Sequence, residues 1–219
     1  MATAVLKFWS TSVGKKMVMA VSGFIIFGFV FGHMLGNLQL YAGPAKLNAY
    51  GALLHSQPGL LWIVRGVLFS AVFLHMLSAY QLWRQSSDAR PVRYHTQALQ
   101  ETTYAARTMI IGGPVIALFV IFHLGHLTTG QTHPSFAHGD VYGNVVSGFQ
   151  VWWASAAYIF AMIFVGLHLY HGVWSMLQTL GANHPKYNDW RRYGAIGFAL
   201  LITIVNISFP VSVLAGLVE

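Results

Sequence analysis

An all-α bundle of five membrane-spanning helices is the fold class this sequence predicts, and three observations carry it. Only 8% of the residues are Asp, Glu, Lys or Arg, against about 25% in soluble proteins. Hydrophobic residues make up 56%, with a mean hydropathy of +0.57, more apolar surface than a soluble fold of 219 residues needs to bury, so lipid must cover much of it. Finally, five stretches reach the roughly 20 apolar residues that a hydrocarbon core requires. They run over about 17–40, 60–83, 108–128, 151–178 and 194–216, and together they make a single membrane domain over 1–219.

The first stretch follows Lys7, Lys15 and Lys16, the charge layout of a signal peptide, but it is too long for a signal core and has no small-residue cleavage site. It is read as a retained span. Within it Gly28, Gly32 and Gly36 recur every fourth residue, a stripe that suits either close helix packing or the approach of a flat ligand. Gly43 with Pro44, then Pro58 with Gly59, punctuate the chain before the second span, and Pro91 lies beyond it. Gly112-Gly113-Pro114 interrupts the third. Gly130, Pro134, Gly139 and Gly143 mark the connection to the fourth, and Gly181 and Pro185 the connection to the fifth. Trp62, Trp152 and Trp153 fall at one set of span ends and Trp83 and Trp190 at the other, where amphipathic rings favour the headgroup region.

Counting basic residues by side sets the expected orientation. With the N-terminus cytoplasmic and the C-terminus outside, Lys7, Lys15, Lys16, Arg84, Arg90, Arg93, Arg107, Lys186, Arg191 and Arg192 lie inside, and only Lys46 and Arg65 outside. That asymmetry accounts for the net charge of +7 without nucleic acid, since the basic residues form no stripe. There is no cysteine, which excludes disulfides, iron–sulfur ligation and thiolate zinc sites within the chain. A multi-pass protein of a bacterial-type cytoplasmic membrane is expected.

Eleven histidines stand out against this background, because an imidazole inside a bilayer is costly unless partnered. His33 lies in the first span, His75 in the second, His123 and His126 in the third, His168 and His171 in the fourth. A metal bound by two imidazoles from different helices needs them at matching depth. At about 1.5 Å per residue, His33 and His123 both lie about 25 Å from the inner edge, being 17 residues beyond Lys16 and 16 beyond Arg107. His75 is nine residues before Arg84 and His168 is 15 beyond Trp153, which places both in the inner half. The two levels then differ by about eight residues, on the order of 12 Å. His126 and His171 fit less well and are read as groups beside the ligands, propionate partners or quinone-site residues, although sequence alone leaves open His126 in place of His123 and His171 in place of His168 as the ligand. Zinc or copper would want three or four clustered donors, whereas depth pairs suit haem iron with both axial positions filled.

The residues Gly32-His33-Met34-Leu35-Gly36-Asn37, Leu74-His75-Met76, Ile121-Phe122-His123 and Leu167-His168-Leu169-Tyr170-His171-Gly172-Val173-Trp174-Ser175 resemble the cytochrome b membrane anchor of succinate dehydrogenase and fumarate reductase, of the single-subunit, five-helix, di-haem kind. The resemblance covers nearly the whole chain. It implies two haem b groups, the outer held by His33 and His123 and the inner by His75 and His168. It also implies a flavoprotein and an iron–sulfur subunit on the cytoplasmic face, and exchange of electrons with a membrane quinone, menaquinone or ubiquinone. His126 and His171 receive no role from it.

Quinone chemistry needs hydrogen-bonding groups near an aqueous side. Candidates are His55, Gln57, Asn48 and His126 on the outer side and Arg84, His95 and Trp174 on the inner, and no Asp or Glu lies within a span. Alternative readings are the cytochrome b subunit of a hydrogenase or formate dehydrogenase, or a haem-handling or transport membrane protein. The chain is not expected to be catalytic alone, since it has no flavin-binding fingerprint or Gly-rich phosphate loop.

Overall fold

A computed structural model describes residues 8–89 and 104–219. Lys7, Arg90, Pro91, Arg93 and His95 lie outside the described residues. Those described are helical, with no strand among them. In chain order they form α1 (Ser12–Asn37) continued by a 3₁₀ turn (Leu38–Ala42), α2 (Pro44–His55), α3 (Pro58–Asp88), α4 (Tyr104–Leu127), α5 (Val141–Gln150), α6 (Trp152–Thr179), a 3₁₀ turn (Pro185–Tyr187) and α7 (Asn188–Leu214). Five of these segments are long and apolar enough to cross a membrane: Ser12–Ala42, α3, α4, α6 and Pro185–Leu214. The expected spans match them to within a few residues at most ends.

Local chemistry sets the boundaries. Thr11 caps α1 by accepting from the Gly14 N–H at 2.9 Å, and Gly43, at φ +91°, turns the chain out of the 3₁₀ segment. Pro44 and Pro58 open α2 and α3 at positions where a missing N–H costs nothing. Between α5 and α6 the chain extends for one residue at Val151, and the Ser155 hydroxyl donates to the Phe149 carbonyl across the corner at 2.5 Å.

The sequence reading needs correction in two places. The connections around Pro44 and Gly143 are not plain loops, because α2 and α5 occupy them. Proline there starts a helix, and Asp140 caps one. Nor does Gly112-Gly113-Pro114 break the third span: α4 runs through Pro114 unbroken.

The spanning helices pack as two pairs, α1 with α3 and α4 with α6. Contact between α1 and α6 joins the pairs, and α7 lies mainly against α6. Their outer faces carry exposed Phe69, Ile110, Ile121 and Ile204, as helices sheathed in lipid do. The tightest apolar core lies at one end, where Leu47 of α2, Val146 and Phe149 of α5, Tyr158 of α6 and Phe209 and Val213 of α7 meet. A polar tie holds α2 to α5 there. The Asn48 amide donates to Asp140 Oδ1 at 2.9 Å and its carbonyl accepts from Tyr142 N–H at 2.9 Å, while Asp140 also accepts from Gly143 N–H at 2.9 Å.

Those donors, the Gly143 amide first and the Asn48 amide second, hold the Asp140 carboxyl below its ordinary value. A depressed folded-state value means the carboxylate stabilises the fold above the unfolded-state value and loses that contribution as pH falls through the folded one. Asp140→Asn is therefore expected to flatten the acid limb of thermal stability in detergent below about pH 4, whereas Asp140→Ala removes the cap at all pH values and costs about 1 kcal/mol.

Candidate functional site

Six imidazoles lie in the spanning helices, and the structure gathers four of them into two facing pairs. His33 of α1 faces His123 of α4 with ring centroids 5.9 Å apart and planes at 79°. His75 of α3 faces His168 of α6 at 6.0 Å and 62°. Two imidazoles on opposite sides of one metal, each with a bond of about 2 Å and a ring radius of roughly 1.1 Å, put their centroids about 6 Å apart. Both pairs have that spacing.

The levels can be read from contacts. On α1, Gly23 lies against the His75 ring, its Cβ position 3.3 Å from Cε1, and His33 is ten residues further along (33 − 23). On α6, Tyr158 bonds His123 and His168 is again ten residues on (168 − 158). Ten residues of helix are about 15 Å, somewhat more than the separation counted from the charged span ends.

Hydrogen bonds orient the rings. His75 Nδ1–H donates to the Met19 carbonyl at 3.1 Å, which leaves Nε2 to face outward as a lone-pair donor. His123 Nδ1 lies 3.1 Å from the Tyr158 hydroxyl. His168 Nδ1 is buried with no hydrogen-bond partner. At His33 the Asn37 amide donates to Nε2 at 3.2 Å, and Phe29 stacks on the ring at 5.4 Å, so that amide must turn away before Nε2 can take a metal. The donor set is four neutral imidazoles in two pairs, which suits haem iron with two axial nitrogens. Among the described residues no three His, Asp or Glu side chains converge into a metal-binding group.

The glycine stripe divides. Gly36 is packed under the Tyr50 ring, whereas Gly28 and Gly32 open onto free space where a side chain would stand. Gly36 thus serves packing, and the other two leave a groove along α1.

The remaining candidates lie elsewhere. His126 is fully buried, with Nδ1 3.1 Å from the Tyr158 hydroxyl and its ring 5.0 Å from that of His133. His171 is half-buried on α6, one turn beyond His168. His55 ends α2 as an exposed helical residue, not a loop one, with Nδ1–H on the Gly51 carbonyl at 2.8 Å. Gln57 is exposed just before α3. Asn48 is spent in the tie to α5. Arg84 is exposed and pairs with Asp88 at 3.7 Å. Trp174 lies under the Arg191 guanidinium at 4.5 Å, and that Arg191 donates to Asn183 and Asn188 at 2.7 Å each. Tyr158 was the residue not singled out from sequence. Its signal was a hydroxyl within an apolar span, which demands a partner in hydrocarbon.

Fold and site define a multi-pass integral membrane protein with paired imidazoles inside its helix bundle. Compared with known proteins, the chain matches no family model, no curated protein and no solved structure.

Gly148 of α5 covers the His126 and His133 rings so closely that an added Cβ would stand 2.8 Å from His126 Cε1 and 2.9 Å from His133 Nε2. Gly148→Ala is expected to destabilise by about 1–3 kcal/mol through overpacking, whereas Gly32→Ala, which meets nothing, should leave the melting temperature in detergent unchanged or raised. Equal melting temperatures for the two variants would contradict the packing described.

Proposed function

We propose that this chain is the di-haem cytochrome b membrane anchor of a succinate:quinone oxidoreductase, relaying electrons between a docked iron–sulfur subunit and membrane quinone. The observation that carries the haem part is the pair of facing imidazole couples, at 5.9 and 6.0 Å, on two levels of one helix bundle. The succinate or fumarate part rests on the resemblance of the four histidine-bearing segments.

His33 with His123 would hold one haem b and His75 with His168 the other. When bound, each haem supplies a one-electron iron couple with both axial positions filled by nitrogen, which favours electron transfer over oxygen chemistry. The chain's own part is to fix ring orientation. Met19 does so for His75 and Tyr158 for His123, and such partners raise the basicity of the ligating nitrogen. Gly23 gives the His75 ring room against α1. The basic residues, ten on one side and two on the other, support a cytoplasmic N-terminus and an outside C-terminus in a bacterial-type membrane. On that orientation the flavoprotein and iron–sulfur subunits dock at the end bearing Trp174 and Arg191. There, Trp174 under its guanidinium is the quinone candidate held in the most built surroundings, with Arg84 exposed at the same end and His55 and Gln57 exposed at the other.

The purified protein is expected to show a reduced b-type spectrum with about two haems per chain. His75→Ala or His168→Ala should remove one haem and leave the other. Chain that is folded and haem-free, yet still supports quinone reduction in its complex, would overturn the proposal.

A further inference from the structure

The Tyr158 hydroxyl stands between two histidines of the same helix: Nδ1 of His123 and Nδ1 of His126 each lie 3.1 Å from it. The phenol and His126 are enclosed, and His123 is half-buried. His126 is fully buried and Tyr158 is 6% exposed, walled by Phe119 and Phe149 edge-on at 5.1 and 4.8 Å and by Phe122, which stacks on His126. A phenol has one proton to give and lone pairs to receive. Bridging two ring nitrogens, it can donate to only one of them, and accepting from both would leave its own proton without an acceptor in this apolar enclosure. Two arrangements therefore satisfy it, each with the phenol donating to one ring and accepting from the other. In one, His126 Nδ1–H donates to the phenol and the phenol donates to His123 Nδ1. His123 then carries its proton on Nε2 and has no lone pair left for a metal. In the other, His123 Nδ1–H donates to the phenol, the phenol donates to His126 Nδ1, and His123 Nε2 is free to ligate.

From this we infer that Tyr158 is a positioning residue for His123: a metal on His123 selects the second arrangement, and the phenol, anchored in turn by His126, sets how strongly His123 donates to iron. The inference rests on the haem reading above and gives His126 the role of acceptor behind the phenol. With Nδ1 of the fully buried His126 accepting from the phenol, its ring proton resides on Nε2, which lies beneath Gly148 and has no hydrogen-bond partner.

An acceptor on Nδ1–H makes an imidazole a stronger donor and so favours ferric over ferrous iron. In detergent-purified Tyr158→Phe, redox titration followed at the two b-type absorption bands is expected to show the midpoint of one haem shifted upward and the other unmoved. That same haem should also be lost more readily on dilution, with affinity about 10- to 100-fold weaker. The unshifted haem, on His75 and His168, reports that the bundle has folded. His126→Gln keeps an acceptor for the phenol and should stay near the parent midpoint, whereas His126→Leu should move the same haem in the same direction by less. Midpoints unchanged in Tyr158→Phe, or both shifted equally, overturn the inference. If Tyr158→Phe yields no folded protein, His126→Leu decides, and an unshifted pair of midpoints there overturns it as well. A wild-type chain without haem overturns the proposed function instead, so the two failures are distinguishable.

Discussion

A buried imidazole with no partner in hydrocarbon loses its hydrogen bonds to water and gains nothing in return, at a cost of about 1–3 kcal/mol for each unpaired group. Six imidazoles lie within these spanning helices, and the partners they find tie the helices together. Hydrogen bonds run within the two helix pairs: His75 on α3 bonds Met19 on α1, and His123 on α4 bonds Tyr158 on α6. The ring couples run between the pairs, His33 on α1 to His123 on α4, and His75 on α3 to His168 on α6. Two kinds of imidazole contact thus bind the four helices in two directions. The single packed bridge between the pairs, α1 against α6, is compatible with both.

This arrangement also shows why the sequence was informative at one scale and silent at another. The five spans were legible because hydropathy is a sum over some 20 residues, insensitive to any one of them. The two histidine levels were legible because a helix converts residue count into depth, so that His33 could be set beside His123 from numbering alone. Rotation about the helix axis was not legible. Telling His123 from His126, three residues and one turn apart, depends on which ring faces His33 of α1, since Tyr158 of α6 bonds both. The helices α2 and α5 escaped notice for another reason. They are only 12 and 10 residues long, each interrupted by Gly and Asn, and are held by the Asn48 and Asp140 tie, which no local pattern announces.

Order is distributed unevenly along the bundle axis. The buried apolar cluster gathers at the end covered by α2 and α5, and Tyr158 belongs to it as well as to the imidazole network. The residue that orients His123 is therefore itself held rigid by the best-packed part of the molecule, which is the support a metal ligand needs to keep its geometry. His75 and His168 have no such cover. His75 has the Met19 carbonyl and the backbone of Gly23 against its ring, and His168 Nδ1 is left unpaired.

It follows that the two levels depend on a shared ligand to different degrees. A group that binds only the folded state stabilises it by mass action, and it contributes most where the protein's own contacts are fewest. A metal held between His75 and His168 would join α3 to α6, and one between His33 and His123 would join α1 to α4, two helix pairs that pack little against each other, but only the second lies beside the cluster that Tyr158 and Phe149 close under α5. The level away from the cap is thus the one whose assembly is most tightly coupled to its ligand, and the level under the cap is the one whose ligand is most finely tuned by its neighbours.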